Sequence, residues 1–473
     1  MSQPPESLRA LPPVDEVLAD PQFVAWRAEH PRFPWTALVR EMLATLRGNL
    51  RAGTFDASSN RTEIVKQVVA AARERVDWLK NAGLRPVLNG TGVVLHTNLG
   101  RAPLGPGAVR AACDALAAYS SLEVDLASGE RSKRGEVIEA LVCTLTGAEA
   151  AMVVNNNAAA VYLVVNTLCT PGRVIVSRGE LVEIGGSFRL PEILRHAARE
   201  VVVEVGTTNR TYAADYERVV QPGDVLLKVH KSNYEIEGFA HEASIAELVA
   251  VARAREAHVV FDLGSGAWFD FAARGLGRDP VVSDVIASGV DLVTMSGDKL
   301  MGGVQAGIVL GKRALVDRLA QNPLRRAVRI DKVAVAALQE VARAYLFSPH
   351  LENEVPVVAV ITESRDQCRA RAERVRERVV GVVAARWDVR VIDDEAAVGG
   401  GSLAGAAVPS NAVALRCRGD DEAVRLARAL RTRPLPVFVR VRGNEIRVNM
   451  TTILPGQEEA LIVALADALA GAA

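Results

Sequence analysis

The residues best suited to chemistry lie in Met295-Ser296-Gly297-Asp298-Lys299-Leu300-Met301-Gly302-Gly303. Only eight of the 56 lysine and arginine side chains are lysines. A preference for arginine codons accounts for most of that scarcity, yet an amine can lose its proton and act as nucleophile or base, whereas a guanidinium cannot. Lys299 falls on a tight loop between two apolar runs, Leu292–Met295 and Ala306–Leu310. Such loops face the crevice at the carboxyl ends of an open α/β sheet. Taken alone, Ser-x-x-Lys is more often an exposed turn lysine. Asp262, 37 residues earlier, closes the apolar run Val259-Val260-Phe261 and precedes Leu263-Gly264-Ser265-Gly266. A carboxylate at the end of a buried strand is costly unless paired, and the glycines leave room for a planar ring. A lysine that forms a Schiff base, with an aspartate that keeps a pyridinium nitrogen protonated, is what pyridoxal phosphate chemistry requires. Ser296, three residues before the lysine, is placed to donate its hydroxyl to the cofactor phosphate.

Two further clusters fall in a compatible order. The run Ala151–Val154 leads into Asn155-Asn156-Asn157-Ala158 at the start of an apolar helix. Backbone N–H groups of Asn156, Asn157 and Ala158 at a helix N-terminus suit a phosphate, although ordinary capping explains the same residues. The run Val225–Val229 ends in His230-Lys231-Ser232-Asn233. His230 and Asn233 stand where a polar group meets the cofactor's ring hydroxyl, and a structural role for His230 is equally open. Phosphate loop, polar strand end, aspartate and lysine, in that order, together satisfy the pattern of a catalytic site.

These residues need a scaffold, and the chain supplies a legible one. β-Branched runs from Ala151 to Leu310 alternate with helical patterns, the signature of a mostly parallel sheet covered on both faces. Residues 1–61 read as a helical unit, with apolar positions at helical spacing from Thr36 to Leu50. Residues 62–87 read as a linker helix, 88–348 as the catalytic domain, and 349–473 as a small α+β domain. The last contains a long Arg/Glu-rich helix from Thr362, strands at Asp388–Ile392, Ala412–Arg416, Pro436–Arg442 and Glu445–Asn449, and a loop at Gly399–Ser402.

Composition narrows the class. Lys and Arg number 56, as do Asp and Glu, so the formal charge is zero. That excludes a generally basic coat protein for nucleic acid but not a local basic site. Five widely spaced cysteines without a CxxC pair argue against a disulfide framework or zinc site. No secretory leader or membrane span is legible, so a soluble cytoplasmic protein is expected.

Two long motifs carry a family resemblance. Leu88-Asn89-Gly90-Thr91-Gly92-Val93-Val94-Leu95-His96-Thr97-Asn98-Leu99-Gly100-Arg101-Ala102-Pro103-Leu104 and Ser296-Gly297-Asp298-Lys299-Leu300-Met301-Gly302-Gly303-Val304-Gln305-Ala306-Gly307 closely resemble the bacterial selenocysteine synthases, formally L-seryl-tRNA(Sec) selenium transferases. The opening Leu8-Arg9-Ala10-Leu11-Pro12-Pro13-Val14-Asp15 is similar to that family's start. Val304 departs conservatively from a position where the family often has proline. The resemblance implies a fold-type-I pyridoxal phosphate transferase with a mostly parallel central sheet, a small α+β C-terminal domain and a helical, tRNA-binding N-terminal domain. It implies conversion of seryl-tRNA(Sec) to selenocysteinyl-tRNA(Sec) with selenophosphate, through β-elimination to a cofactor-bound aminoacrylate. It also implies a homodecameric ring, a pentamer of dimers. Lys299 takes the Schiff-base position, and Arg101, Arg326 and Arg329 match basic positions at the anionic substrate site. Asp298 either handles a proton on the leaving oxygen or caps its loop. Arg40, Arg47 and Arg51 share one helical face and are candidates to track tRNA phosphates, with a solvated helix face as the plain alternative. The rival enzyme class is a fold-type-I lyase, β-eliminating or acting on amino sugars, with a free small substrate. A non-catalytic scaffold would instead be expected to show a damaged site.

Overall fold

The described residues from Val14 to Asn81 are mainly helical, and the chain divides into two compact units, Met1–Pro86 and Val87–Ala473. The structure, a computed structural model, describes residues 11–52, 54, 60–169, 172–184, 188–198, 202–232, 234, 236–272, 275–277, 279–382 and 387–471. Asn233 therefore lies outside the described residues.

The first unit holds helices Val14–Leu18, Pro21–Glu29, Trp35–Arg51 and Arg61–Asn81. Asp20 and Asn60 cap two of them, each side chain accepting a backbone N–H from Gln22 or Glu63 at 2.9 Å. One apolar face of each longer helix turns inward: Phe23, Trp35, Leu38 and Val39 are buried with Ile64, Val68, Ala72 and Val76. Phe23 meets Trp35 edge-on at 5.7 Å, a favoured aromatic geometry. Helix Arg61–Asn81 thus shares the core of the preceding helices. Arg40, Arg47 and Arg51 are exposed.

The second unit contains fourteen strands among the described residues: β1 (Leu88–Gly90), β2 (Ala150–Val154), β3 (Val174–Ser177), β4 (Glu183–Ile184), β5 (Phe188–Arg189), β6 (Val202–Val205), β7 (Val225–Val229), β8 (His258–Gly264), β9 (Leu292–Ser296), β10 (Gly307–Gly311), β11 (Asp388–Gly399), β12 (Ser402–Arg416), β13 (Val437–Arg442) and β14 (Glu445–Asn449). Seven form a sheet of order β2-β10-β9-β8-β7-β3-β6. In it β10 runs antiparallel to both neighbours, and the other pairs are parallel. Side chains alternate between two cores, as a strand's period of two demands. Ala151, Val153, Val293 and Met295 enter one core, whereas Met152, Val154 and Leu292 enter the other. Helices Ile245–Ala254 and Lys332–Phe347 cover the first face, and Asn157–Leu168 and Arg313–Gln321 the second. A smaller sheet has the order β1-β13-β14-β12-β11. The ribbon β4-β5 stands apart from both sheets. The parallel architecture brings the carboxyl ends of β7, β8 and β9 to one edge, where the candidate residues fall.

Candidate active site

Lys299 sits on the turn after β9 and is 4% exposed. The turn is pinned by Gly297 N–H to Ala306 O at 2.9 Å and Gly302 N–H to Lys299 O at 2.8 Å. Burial, then the nearby Arg101 guanidinium, hold the Lys299 amine below the usual lysine range, against the pull of Asp262, Asp298 and Asp279. A buried amine shifted in that direction is suited to proton transfer and to carbonyl attack.

Asp262 lies on the neighbouring strand, opposite Val229 of β7 and Thr294 of β9. A register shift after Asp262, with Gly264 at φ +63°, turns the strand end. The Oδ1 atom accepts three bonds: from Asn157 Nδ2 and Thr294 Oγ1 at 2.9 Å, and from Gly264 N–H at 3.2 Å. No described residue donates to Oδ2. Burial pushes the Asp262 carboxyl upward, opposed by the donors from Asn157 and Thr294 and by Lys299. A buried carboxylate with one oxygen fully held and the other open calls for a cationic N–H donor, which a pyridinium nitrogen supplies.

The sequence-expected phosphate loop is present, with a different division of labour. The Asn156 side-chain oxygen caps its own helix, accepting from Ala159 N–H at 2.8 Å, which leaves its Nδ2 donor uncommitted to any described residue. Asn157 spends its amide on Asp262. An anion at this helix start meets the backbone N–H of Asn157 and Ala158, in the first turn of the helix Asn157–Leu168, and the Nδ2 donor of the capping Asn156. Gly307 of β10 passes against Asn156, where a Cβ would collide with the Asn156 carbonyl. Ser296 ends β9, and no described residue engages its hydroxyl. These donors fit a pyridoxal phosphate: Lys299 for the carbonyl, Asp262 Oδ2 for the ring nitrogen, and the helix start with Ser296 for the phosphate.

His230 follows β7, and its N–H donates to Asp262 O at 2.9 Å. Its Nε2 lies 2.9 Å from Asp279 Oδ1. Asp279 also accepts from Ser265 Oγ at 2.8 Å and from Leu403 N–H at 3.2 Å. Burial opposes ionisation of Asp279, but His230, Ser265 and the Leu403 N–H outweigh it and hold the carboxyl below its usual range. Its carboxylate therefore fixes the His230 ring. Asp279, Thr294 and the positioning role of Asn157 were not visible in the sequence, because their partners are far apart in the chain.

Arg101 reaches the lysine loop directly: its Nη1 is 2.9 Å from Asp298 Oδ2. It adopts φ +61°, a left-handed conformation uncommon outside glycine. Asp298 Oδ1 is buried with no partner among the described residues. Arg326 and Arg329 stand elsewhere. Asn155 N–H donates to Val328 O at 2.9 Å, which sets them beside the end of β2, in a cavity of about 420 Å³ that neither Lys299 nor Arg101 lines. There Arg329, Arg131 and Arg134 converge on Glu123 at 3.3, 3.3 and 2.9 Å. Among the described residues, no cluster of acidic, histidine and cysteine side chains is placed to hold a metal.

A lysine on a β-turn, an aspartate one strand away and an open helix start at the carboxyl edge of a mostly parallel sheet define a fold-type-I pyridoxal phosphate enzyme. The fold is also that of a solved D-glucosaminate-6-phosphate ammonia-lyase, with a TM-score of 0.57 and 19% identity over 84% of this chain and 98% of that one. A family model described as L-seryl-tRNA selenium transferase matches residues 87–454, and one described as selenocysteine synthase N terminal matches residues 8–47. The L-seryl-tRNA(Sec) selenium transferase of Moorella thermoacetica is 44% identical over 98% of this chain and 97% of its own. That of Nitratidesulfovibrio vulgaris is 41% identical over 98% of each. The chain belongs to the L-seryl-tRNA selenium transferase family.

Proposed function

We propose that this protein converts L-seryl-tRNA(Sec) to L-selenocysteinyl-tRNA(Sec), taking selenium from selenophosphate. The observation that carries the reading is kinship along the whole chain, including the N-terminal helical unit, combined with an intact Lys299–Asp262 pair. A lyase acting on a free substrate has no use for that unit. Bound pyridoxal phosphate supplies an electron sink for the serine α-carbon. The chain's residues do the rest. Lys299, an amine held in a dry site, removes the α-proton and passes it to the β-hydroxyl, which departs as water. Asp262 Oδ2 holds the proton on the ring nitrogen throughout. Asp298 is locked to Arg101, so its first task is to orient that arginine beside the reacting serine. Its unpartnered Oδ1 is an acceptor that can orient the serine β-hydroxyl before it leaves. Selenium then bonds to the β-carbon, a proton returns to the α-carbon through Lys299, and water takes the phosphoryl group as the donor's phosphorus–selenium bond breaks, which releases phosphate.

We assign the donor's anion to Arg101, Arg326 and Arg329. Within one chain they fall into two places, so the assignment requires a second copy to bring the arginine cavity to the lysine, consistent with a homodecameric ring. We assign tRNA binding to the N-terminal unit through Arg40, Arg47 and Arg51. No helix among the described residues is long and apolar enough to cross a membrane, and we place the reaction in the cytoplasm.

The test is to mix the holoenzyme with seryl-tRNA(Sec) and selenophosphate and look for selenocysteinyl-tRNA. Lys299→Ala is expected to abolish both turnover and the absorbance of the lysine-bound cofactor. Retention of either would remove Lys299 from its role.

A further inference from the structure

A cavity of about 760 Å³ in the second unit is not lined by Lys299 but opens beside it. Ser232 lines its inner end. A Cβ on Gly264 would lie 3.9 Å from Ser232 Oγ and equally 3.9 Å from Lys299 Nζ, so one glycine separates the amine from the cavity. Its outer walls are the long hairpin β11-β12 and the end of β13.

Two buried polar atoms in these walls have no partner among the described residues: Ser402 Oγ and Arg440 Nε. Buried donors are nearly always satisfied, so two orphans just behind one cavity wall mark a place where a small shift of the wall lets a ligand complete the bonding. Beside Ser402, Leu403 holds φ +47°, and its N–H is the one that binds Asp279. Non-glycine residues kept in this region cluster at functional sites.

Charge separates this cavity from the arginine cavity. Three arginines line it, Arg365, Arg440 and Arg442, against three carboxylates, Asp393, Asp394 and Glu395. Arg365 is tied to Asp393 at 2.8 Å, and Arg440 to Asp394. Its walls are polar and balanced, which suits an uncharged ligand with hydroxyl groups and a heterocycle. The arginine cavity has six cationic residues, including Arg325 and Lys133, against Glu123 and Glu139, which suits a free anion. The volume is that of sites which enclose small organic ligands.

We infer that this cavity receives the terminal nucleoside of the aminoacylated tRNA. The inference rests on the proposed function, in which the serine amine is handed to Lys299. Serine is esterified to the terminal ribose, so the ribose and its base must lie a few bonds from the lysine, and this cavity begins there. Ser402 and Arg440 are the donors for ribose or base, and Glu395 is an acceptor for a ribose hydroxyl.

The experiment titrates the holoenzyme with 3′-seryl-amino-3′-deoxyadenosine and with serine methyl ester, by calorimetry and by the cofactor's absorbance. The aminonucleoside is expected to bind at least tenfold tighter than the ester. Ala407→Phe, on an exposed cavity-lining strand position, is expected to cut that affinity ratio at least tenfold. Ser402→Ala, which removes one hydroxyl and blocks nothing, is expected to cut it about threefold. A wild-type ratio near one, or a ratio unmoved in both variants, overturns the inference. Wild-type turnover of seryl-tRNA(Sec) is measured alongside. Turnover with a ratio near one removes the subsite alone, whereas absence of turnover removes the function and the subsite with it.

Discussion

Asp279 divides its two oxygens between tasks, Oδ1 holding the His230 ring and Oδ2 holding Ser265 and the Leu403 N–H. Asparagine can accept through only one of these positions and must present an NH₂ at the other. Asp279→Asn is therefore expected to lower kcat at least tenfold with cofactor still bound. The carboxylate also favours the charged form of Lys299, so its loss moves the acid limb of the pH–rate profile to lower pH. A variant with wild-type kcat and profile would show that Asp279 only fastens loops. Glu139, in the arginine cavity, carries the opposite kind of shift: burial raises its carboxyl from 4.5 to about 7, with Arg325 opposing. The folded protein then binds the proton more tightly than the unfolded chain, so stability falls as pH rises from about 4.5 to about 7 and stays lower above that. Glu139→Gln removes the penalty. It is expected to stabilise by about 1–3 kcal/mol at pH 8, after discounting for partial exposure, and by less at pH 5. Thermal unfolding at the two pH values checks this; an equal gap at both would contradict it.

At the scale of elements, the site depends on strand ends that approach one another more closely than side chains permit. Gly307 is the sharpest case, since a methyl group there meets the Asn156 carbonyl that starts the phosphate-side helix. Gly307→Ala is expected to weaken cofactor affinity at least tenfold and to cost about 1–3 kcal/mol of stability, measured by cofactor titration and denaturant unfolding. Unaltered affinity would mean the helix start does not hold the phosphate. Such contacts also explain what the sequence could and could not convey. The runs around Val225–Val229, His258–Phe261 and Leu292–Met295 were legible because β-branched residues buried on both faces leave an apolar signature. The hairpin β11-β12 was legible only in part. Its strands continue through Asp393-Asp394-Glu395 and up to Gly399 and Ser402, where charge and glycine resemble a loop. Three consecutive glycines, Gly399–Gly401, all have positive φ and make the tip tight. The parallel pairing of β1 with β13 joins residues some 350 apart and leaves no local trace. Lys299, Asp262 and Ser296 could be read because they lie at or just beyond the carboxyl ends of β8 and β9. Asp279 could not, because its partners are 49, 14 and 124 residues away.

At the scale of the molecule, a net charge of zero conceals an uneven distribution. Cations crowd the cavity around Arg326 and Arg329, while the cavity beside Lys299 is balanced. A neutral protein that acts on a tRNA must bind it through local groups, and Arg40, Arg47 and Arg51 are exposed candidates with no ion pair to a described carboxylate. Removing the N-terminal unit is a blunt test if the cut falls at residue 61, because helix Arg61–Asn81 would lose the core that covers Ile64, Val68 and Ala72. Substituting the three arginines by alanine leaves that core intact. Each phosphate contact contributes about 0.7–0.9 to the slope of log affinity against log salt. The triple variant is therefore expected to bind seryl-tRNA(Sec) at least tenfold more weakly at moderate salt, with a slope shallower by about 2. Its cofactor absorbance should match wild type, since these arginines belong to the other compact unit. Equal affinity and equal slope would make them a solvated face and send the search for tRNA contacts to the second unit.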